Sequence, residues 1–352
     1  MARLWPVPIV CALWLAQSLG VGLWPAEASC GSASCFVVIG SQQQVSPAGV
    51  LTINLNYTYT NNGIPPEGAS AIPFANQQTK QLILANSQVN QLATLVRTTT
   101  LDLNYGLTER FGLQVSVPYR QINAFGQIGA GTLTNTNDKG IGDVLVKMKY
   151  NMLPTLRSML VFEMGVYLPT GDYGNQGAPG QLAESTLQVG RGAVGLQPGF
   201  YQTYELLPHR LNQFLSGSYR YTMRNSDGYR FGQEVALNAG LNLVTFPWLT
   251  FTGQLNFRYK TKDNIEAALY EFRPAPFARA VLLDGNIVGR AVPTTNSTYL
   301  AFSPGVVVNV FDYAQVYLIG QLPVYREFNG NLQQEAGFVL GMTKSFATTP
   351  LF

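Results

Sequence analysis

The chain has 352 residues, 46% of them hydrophobic but only 12% charged, which is about half the charge of an average soluble domain. Its net charge of +3 is too small and too dispersed for a nucleic-acid partner. The strongly apolar run at the N-terminus has no successors of roughly 20 residues, which excludes a bundle of membrane helices.

Residues 1–28 have the form of a secretory signal. Arg3 supplies the positive start, an apolar region runs from Ile9 to Trp24, and Ala26-Glu27-Ala28 is a small-x-small cleavage site. A lipid-modified Cys30 is the competing reading, but Glu27 stands where such a signal carries a Leu-like residue. Cleavage leaves Cys30 and Cys35, which in an oxidising compartment form a small disulfide loop. Haem attachment needs a histidine after a shorter spacing, and Phe36 follows Cys35 instead. Residues 29–49 are therefore expected to be a periplasmic segment bearing the cysteine pair. Phe36–Gly49 has the option of entering a barrel from that side.

From Val50 onward the signal is period-two alternation, the mark of strands with one apolar and one polar face. Val50–Thr60 puts Leu51, Ile53, Leu55, Tyr57 and Tyr59 on one side and Thr52, Asn54 and Asn56 on the other. The polar stretch Asn61–Asn90 follows, with room for a short helix. Arg97–Tyr119 then forms a hairpin about Thr108-Glu109-Arg110. A loop is expected over Gln121–Gly140, before a fourth strand in which Val144, Val146, Met148 and Tyr150 alternate with Asp143, Lys147 and Lys149.

A fifth strand carries Leu160, Phe162, Met164, Val166 and Leu168 on one face and ends before a Gly/Pro loop. The sixth, about Gly192–Tyr204, is the least regular because Pro198 lies inside it, a residue expected only at an edge or bulge. The seventh ends at Tyr219-Arg220-Tyr221, and the eighth and ninth turn about Phe246-Pro247-Trp248. The longest loop, Lys260–Asn296, has apolar patches (Phe272, Phe277, Val281, Leu282, Leu283) suited to a plug, a surface site or simple loop packing. Strands ten and eleven turn about Phe311-Asp312-Tyr313, and a twelfth ends near Phe346.

Long connections follow the odd strands and tight ones the even strands. The odd strands end in Tyr59, Tyr119, Tyr167, Tyr221, Tyr259 and Tyr325. The even strands end near Tyr105, Tyr150, Tyr204, Phe246, Phe311 and Phe346. An apolar band with aromatic borders is what a strand crossing a bilayer needs, and the backbone is satisfied only if the sheet closes. The expected architecture is all-β, a transmembrane antiparallel β-barrel of about 12 strands in an up-and-down meander over residues 50–346. Residues 347–352 form a tail. An even count with short turns on one side places both termini in the periplasm. The partners this implies are outer-membrane lipid, the barrel-assembly machinery and a small-molecule solute, with no nucleic acid.

The segments GIGDVLVKMKY (Gly140–Tyr150) and LPTGDYGN (Leu168–Asn175), with the LNYGLTERFGLQVSVPY hairpin and the cysteine pair, carry a resemblance. From about Arg97 to Phe346 the chain resembles outer-membrane transporters of the "MetA-pathway of phenol degradation" family. That resemblance implies passage of small, aromatic compounds across the outer membrane.

Catalysis and cofactors find little support. Gly190-x-Gly192-x-x-Gly195 matches a dinucleotide fingerprint by letter, but Pro198 and an alternating run follow where a helix is required, so strand glycines are the expected account. The lone His209 falls in a short periplasmic turn beside Pro208 and Arg210, away from the outer rim where a barrel hydrolase would work. No His, Cys and carboxylate spacing suits a metal, and no cofactor is expected. Eight charged residues are expected to face the lumen: the acids Asp102, Asp143, Glu163 and Glu234, and the bases Lys147, Lys149, Arg220 and Arg258. They form either an internal network that fills the barrel or a constriction that orients a solute. The function expected is passive or facilitated passage of a small solute, aromatic or hydrophobic in character. A non-transporting scaffold or sheath is the alternative.

Overall fold

The computed structural model describes residues 44–63, 89–128, 132–155, 157–174, 176–178, 181–182, 187–226, 228–265, 291–292, 295–310, 314–328 and 332–348. Several expectations lie outside these residues: the signal, Cys30 and Cys35, the helix between Asn61 and Asn90, the apolar patches of the 260–296 connection, Phe311 and the last tail residues.

Twelve strands form the main sheet in chain order: β1 Val50–Gly63, β2 Val89–Gly106, β3 Phe111–Ile128, β4 in two legs (Thr132–Ile141 and Val144–Asn151), β5 Ser158–Leu168 and β6 Gly195–Leu207. The series continues with β7 Leu211–Thr222, β8 Glu234–Phe246, β9 Leu249–Lys260, β10 Ser297–Val310, β11 Ala314–Phe328 and β12 Gly337–Ala347. Each pairs antiparallel with its neighbours in sequence. β12 pairs back onto β1 from Val50↔Ala347 to Tyr59↔Phe338, so the sheet closes. A closed sheet leaves no unpaired edge, the condition for strands to cross a bilayer.

Burial is inverted relative to a soluble sandwich. Met148 is 59% exposed and Lys149 only 1%, although they are adjacent on β4. Leu55, Leu101, Met164, Leu241, Leu318 and Met342 likewise face outward, while Asn54, Asp102, Gln114, Glu163, Gln254 and Thr343 are buried. The apolar band has lipid to meet, and the polar faces meet one another inside.

The connection after β3 differs from the expectation. Gln121–Gly140 is not a loop, because β3 continues to Ile128 and the first leg of β4 pairs with it from Ile128↔Thr132 to Tyr119↔Ile141. β2 and β3 have 18 residues each, about 60 Å at ~3.3 Å per residue. That exceeds the roughly 9–11 residues a crossing needs, so this hairpin projects beyond the membrane, where no apolar face is required. Thr- and Asn-rich strands there carry no hydrophobic alternation to read.

Pro198 is also placed differently, since β6 is paired on both sides rather than lying at an edge. The β6–β7 ladder instead lapses between Gly199↔Ser218 and Leu196↔Tyr221, so the missing N–H falls where β7 makes no pair. Pro304 and Pro118 fall in similar lapses, between Phe302↔Leu322 and Gly305↔Ile319 and between Ser116↔Leu145 and Tyr119↔Ile141. Gly190 and Gly192, expected as strand glycines, lie in the connection before β6. Gly190 packs against the Gly171 backbone at a distance no Cβ fits, and Gly192 has φ 64° over the Tyr173 ring.

Candidate functional site

The interior is built from the polar alternates of each strand. Toward the end with the short turns, Asp102 is fully buried on β2, directly across from Asn54 on β1 and Ser116 on β3. One of its carboxylate oxygens accepts from Asn54 Nδ2 at 2.9 Å and Asn56 Nδ2 at 3.3 Å. The other accepts from Ser116 Oγ and from Gln114 Nε2, the latter at 3.4 Å. Asn54 Oδ1 in turn accepts from Tyr317 OH at 3.0 Å and Thr343 Oγ1 at 2.8 Å, which carries the network on to β11 and β12. Lys147 Nζ pairs with Glu163 Oε1 at 3.0 Å, with both side chains almost wholly buried.

A short segment ahead of β1 enters this space. The Gln44 carbonyl accepts from Lys149 Nζ at 3.1 Å and from Asn104 Nδ2 at 2.9 Å. Val45 packs with Val161, Tyr201 and Phe214 on β5, β6 and β7. Ser46 Oγ and Thr52 Oγ1 share a hydrogen bond at 3.1 Å. Gly106 admits the segment, since a Cβ there would lie 2.0 Å from the Pro47 carbonyl oxygen. The described residues Gln44–Pro47 therefore line the inner wall from β1 to β7 and narrow it.

Toward the opposite end, residues 187–194 fold against the wall. Asp138 Oδ2 accepts from the Val189 N–H at 2.9 Å, and Arg120 Nη1 donates to the Val189 carbonyl at 3.2 Å. Asp143 Oδ1 accepts from the Gly171 N–H at 3.2 Å and Oδ2 from the Arg191 N–H at 3.0 Å. The Arg191 side chain pairs with Glu234, donates to Thr222 Oγ1 at 3.1 Å and lies 4.8 Å from the Phe231 ring centroid. Burial draws the Arg191 guanidinium down, but the Glu234 carboxylate and its hydrogen bond outweigh this, and the group sits above its ordinary value. Arg220 lies over the Tyr167 ring, its Cζ 3.6 Å from the centroid.

The eight charged residues singled out from sequence thus fall into two groups and one outlier. Asp102, Lys147, Lys149 and Glu163 come together at the short-turn end, and Asp143, Arg220 and Glu234 at the other. Arg258 stands apart, donating to Gln334 Oε1 at 2.7 Å beside the Tyr299 ring. Tyr167 is not a border residue on the outer face. It shares the parity of Val161 and Glu163 on β5 and supports Arg220 inside. Arg120 and Arg191 were missed, and they change the electrostatics. With them, three guanidinium groups face the carboxylates of Asp143 and Glu234 at this end. Gln44, Asn54, Gln114 and Ser116 were missed as well. Parity alone could have found the last three.

His209 occupies an exposed turn with φ 56°, its Nδ1 3.8 Å from Glu205 Oε1. Nothing in that turn resembles the assembled nucleophile, base and orienting residue of a hydrolase. What the interior offers is hydrogen-bond donors, acceptors and fixed charges, with residues 44–47 and 187–194 folded against the wall at two levels.

Comparison with known proteins agrees with this geometry. A family model described as "Putative MetA-pathway of phenol degradation" matches residues 74–283. Among solved structures, an outer membrane channel from Pseudomonas putida F1 superposes with a TM-score of 0.60 at 12% identity, over 88% of this chain and 100% of that one. The NanC porin superposes more loosely, with a TM-score of 0.42 at 10% identity over 83% of this chain and 98% of that one. No curated protein matches the sequence.

Proposed function

The chain belongs to the MetA-pathway phenol-degradation family, and from that premise we propose that it is an outer-membrane channel for passive or facilitated passage of a small organic solute. The observation that carries this reading is the interior itself. A barrel serving only as a scaffold gains most from a packed core, whereas this one keeps Asp102, Lys147, Lys149, Glu163, Arg220 and Glu234 within it. Such groups are costly to bury and are retained where they line a solute path. About twelve strands leave a small bore, which Gln44–Pro47 and residues 187–194 reduce further, so the channel is selective rather than general. The termini and short turns lie on the periplasmic side and the Val89–Ile128 end of β2 and β3 projects outward, following the rule that short turns face the periplasm. The aromatic solutes that the family description suggests fit a narrow polar path with ring-bearing walls at Tyr167, Phe231 and Tyr299.

The test is single-channel recording of the full protein, purified from outer membranes, in planar lipid bilayers. Discrete conductance steps that small aromatic acids interrupt support the channel. A folded barrel that stays silent, and whose vesicles admit no small aromatic solute, overturns it in favour of the scaffold.

A further inference from the structure

Arg220 is the interior cation whose charge the fold leaves unanswered. In the β7–β8 ladder it stands directly opposite Glu234, the carboxylate it would ordinarily pair with. That carboxylate is taken by Arg191, which arrives from the 187–194 connection. Among the described residues Arg220 forms no ion pair and donates no hydrogen bond in exchange, and its half-buried side chain has an Nε that is fully enclosed without an acceptor. It stacks on the Tyr167 ring, whose centroid lies 3.6 Å from Cζ. Stacking holds a guanidinium by its face and leaves the N–H edge to point elsewhere.

Two features shape the surroundings of this guanidinium. Arg220 lies in the lapse of the β6–β7 ladder, where the flanking register sets Gln197 across from it and no backbone pair forms. Gly195 on β6, paired with Tyr167 on one side and Thr222 on the other, leaves room for the ring, since a Cβ there would lie 3.3 Å from Tyr167. The charged groups facing Arg220 are Arg191, Glu234 and Asp143, with Arg120 beyond them. Both oxygens of Asp143 are occupied by backbone N–H groups. Lys260, Asp138 and Asp263 also stand at this end, so the cluster as a whole is balanced, and of its three guanidinium groups Arg220 is the one without a hydrogen-bonded partner among the described residues. Phe231, against the Arg191 guanidinium, supplies a second aromatic ring at this end.

We propose that Arg220, stacked on Tyr167 beside the Arg191–Glu234 pair, is an anion-binding subsite of the interior that takes the carboxylate of a small organic monoanion. With Nε enclosed, the two Nη groups are left to match a carboxylate bidentately. A single guanidinium suits a single carboxylate, and the two neighbouring rings favour an organic acid over an inorganic ion. This subsite rests on the channel reading, of which it is the selective element.

Two measurements separate the subsite from that reading. Benzoate, benzyl alcohol and inorganic phosphate are titrated by calorimetry into the detergent-solubilised full protein, its Arg220→Gln and Arg220→Lys variants, and an Arg110→Gln control in the exposed β2–β3 turn. The same proteins are then recorded in bilayers with benzoate present. Heat-modified gel migration confirms that each barrel is folded. The expected result is benzoate binding that falls at least about tenfold in Arg220→Gln, the loss of one charge-assisted hydrogen bond, with part kept in Arg220→Lys and all kept in Arg110→Gln. Benzyl alcohol should respond to none of the changes. Benzoate binding that is absent, or equal in Arg220→Gln, overturns the subsite even if the protein conducts. Phosphate binding as tightly as benzoate and lost with Arg220 overturns the organic-acid assignment. Arg220-dependent benzoate binding to a barrel that neither conducts nor admits solute upholds the subsite while overturning the channel.

Discussion

Replacing Asp102 by Ala would remove the acceptor at the centre of the short-turn network. Asp102 is fully buried and takes four donors, of which those from Asn54 and Ser116 are well formed and those from Asn56 and Gln114 lie at 3.3 and 3.4 Å. Each good bond to a charged acceptor contributes about 1.5–3 kcal/mol, so the two strong ones give an expected loss of about 3–6 kcal/mol. Asp102→Asn should lose less, about half, because the introduced amide can still accept from Ser116 and Gln114 but presents N–H groups toward Asn54. Exchanging the pair, Asn54→Asp with Asp102→Asn, restores a carboxylate–amide contact and leaves an acceptor for Tyr317 and Thr343. It should recover most of the loss. The assay is urea unfolding in detergent micelles, followed by tryptophan fluorescence and gel mobility, with the midpoint shift converted through an unchanged slope. Equal midpoints for the wild type and Asp102→Ala, or a double variant no better than the sum of its singles, would refute the view of Asp102 as the hub.

Arg191→Ala should cost about 1–2 kcal/mol in the same assay. That is less than the about 3–5 kcal/mol of a fully buried pair, because the Arg191 and Glu234 side chains keep 17% and 22% exposure. It also frees Glu234 to answer Arg220, so benzoate binding should weaken although Arg220 is intact. Gly106→Val places side-chain atoms where the Ser46 and Pro47 carbonyls run, and the segment must give way. A cysteine introduced by Val45→Cys, protected from a membrane-impermeant maleimide in the parent, should become reactive in the Gly106→Val background.

The strands were legible because lipid imposes a rule on every crossing residue, and the alternation of Leu51, Ile53 and Leu55 with Thr52, Asn54 and Asn56 is that rule written out. Which polar residue meets which was not legible. Parity places Asp102 and Asn54 on one face, but only the register brings them opposite each other. Tyr167 shows the weakness of reading strand ends by residue type. Its phenol suggested a border, while its position, one step from Val166 and Leu168, turned it inward. Arg191 lies in a connection without periodicity, and its role depends on Gly190 and Gly192 bending the chain at positions whose letters suggested something else. The β2–β3–β4 extension escaped notice because beyond the membrane the hydrophobic alternation stops although the pairing continues.

The seam between the first and last strands has a consequence for assembly. Gly49 bridges it: its N–H bonds the Gly106 carbonyl at the end of β2, and its own carbonyl accepts from both the backbone and the hydroxyl of Thr348, just past β12. Gln44–Pro47 precede it immediately inside the wall. The residues that fasten the cylinder shut are thus continuous with those that occupy it. The segment is enclosed in the same event that joins the ends of the sheet, and no later threading step is needed. A circular permutant opened at another strand pair would separate enclosure from fastening and let the two be timed independently.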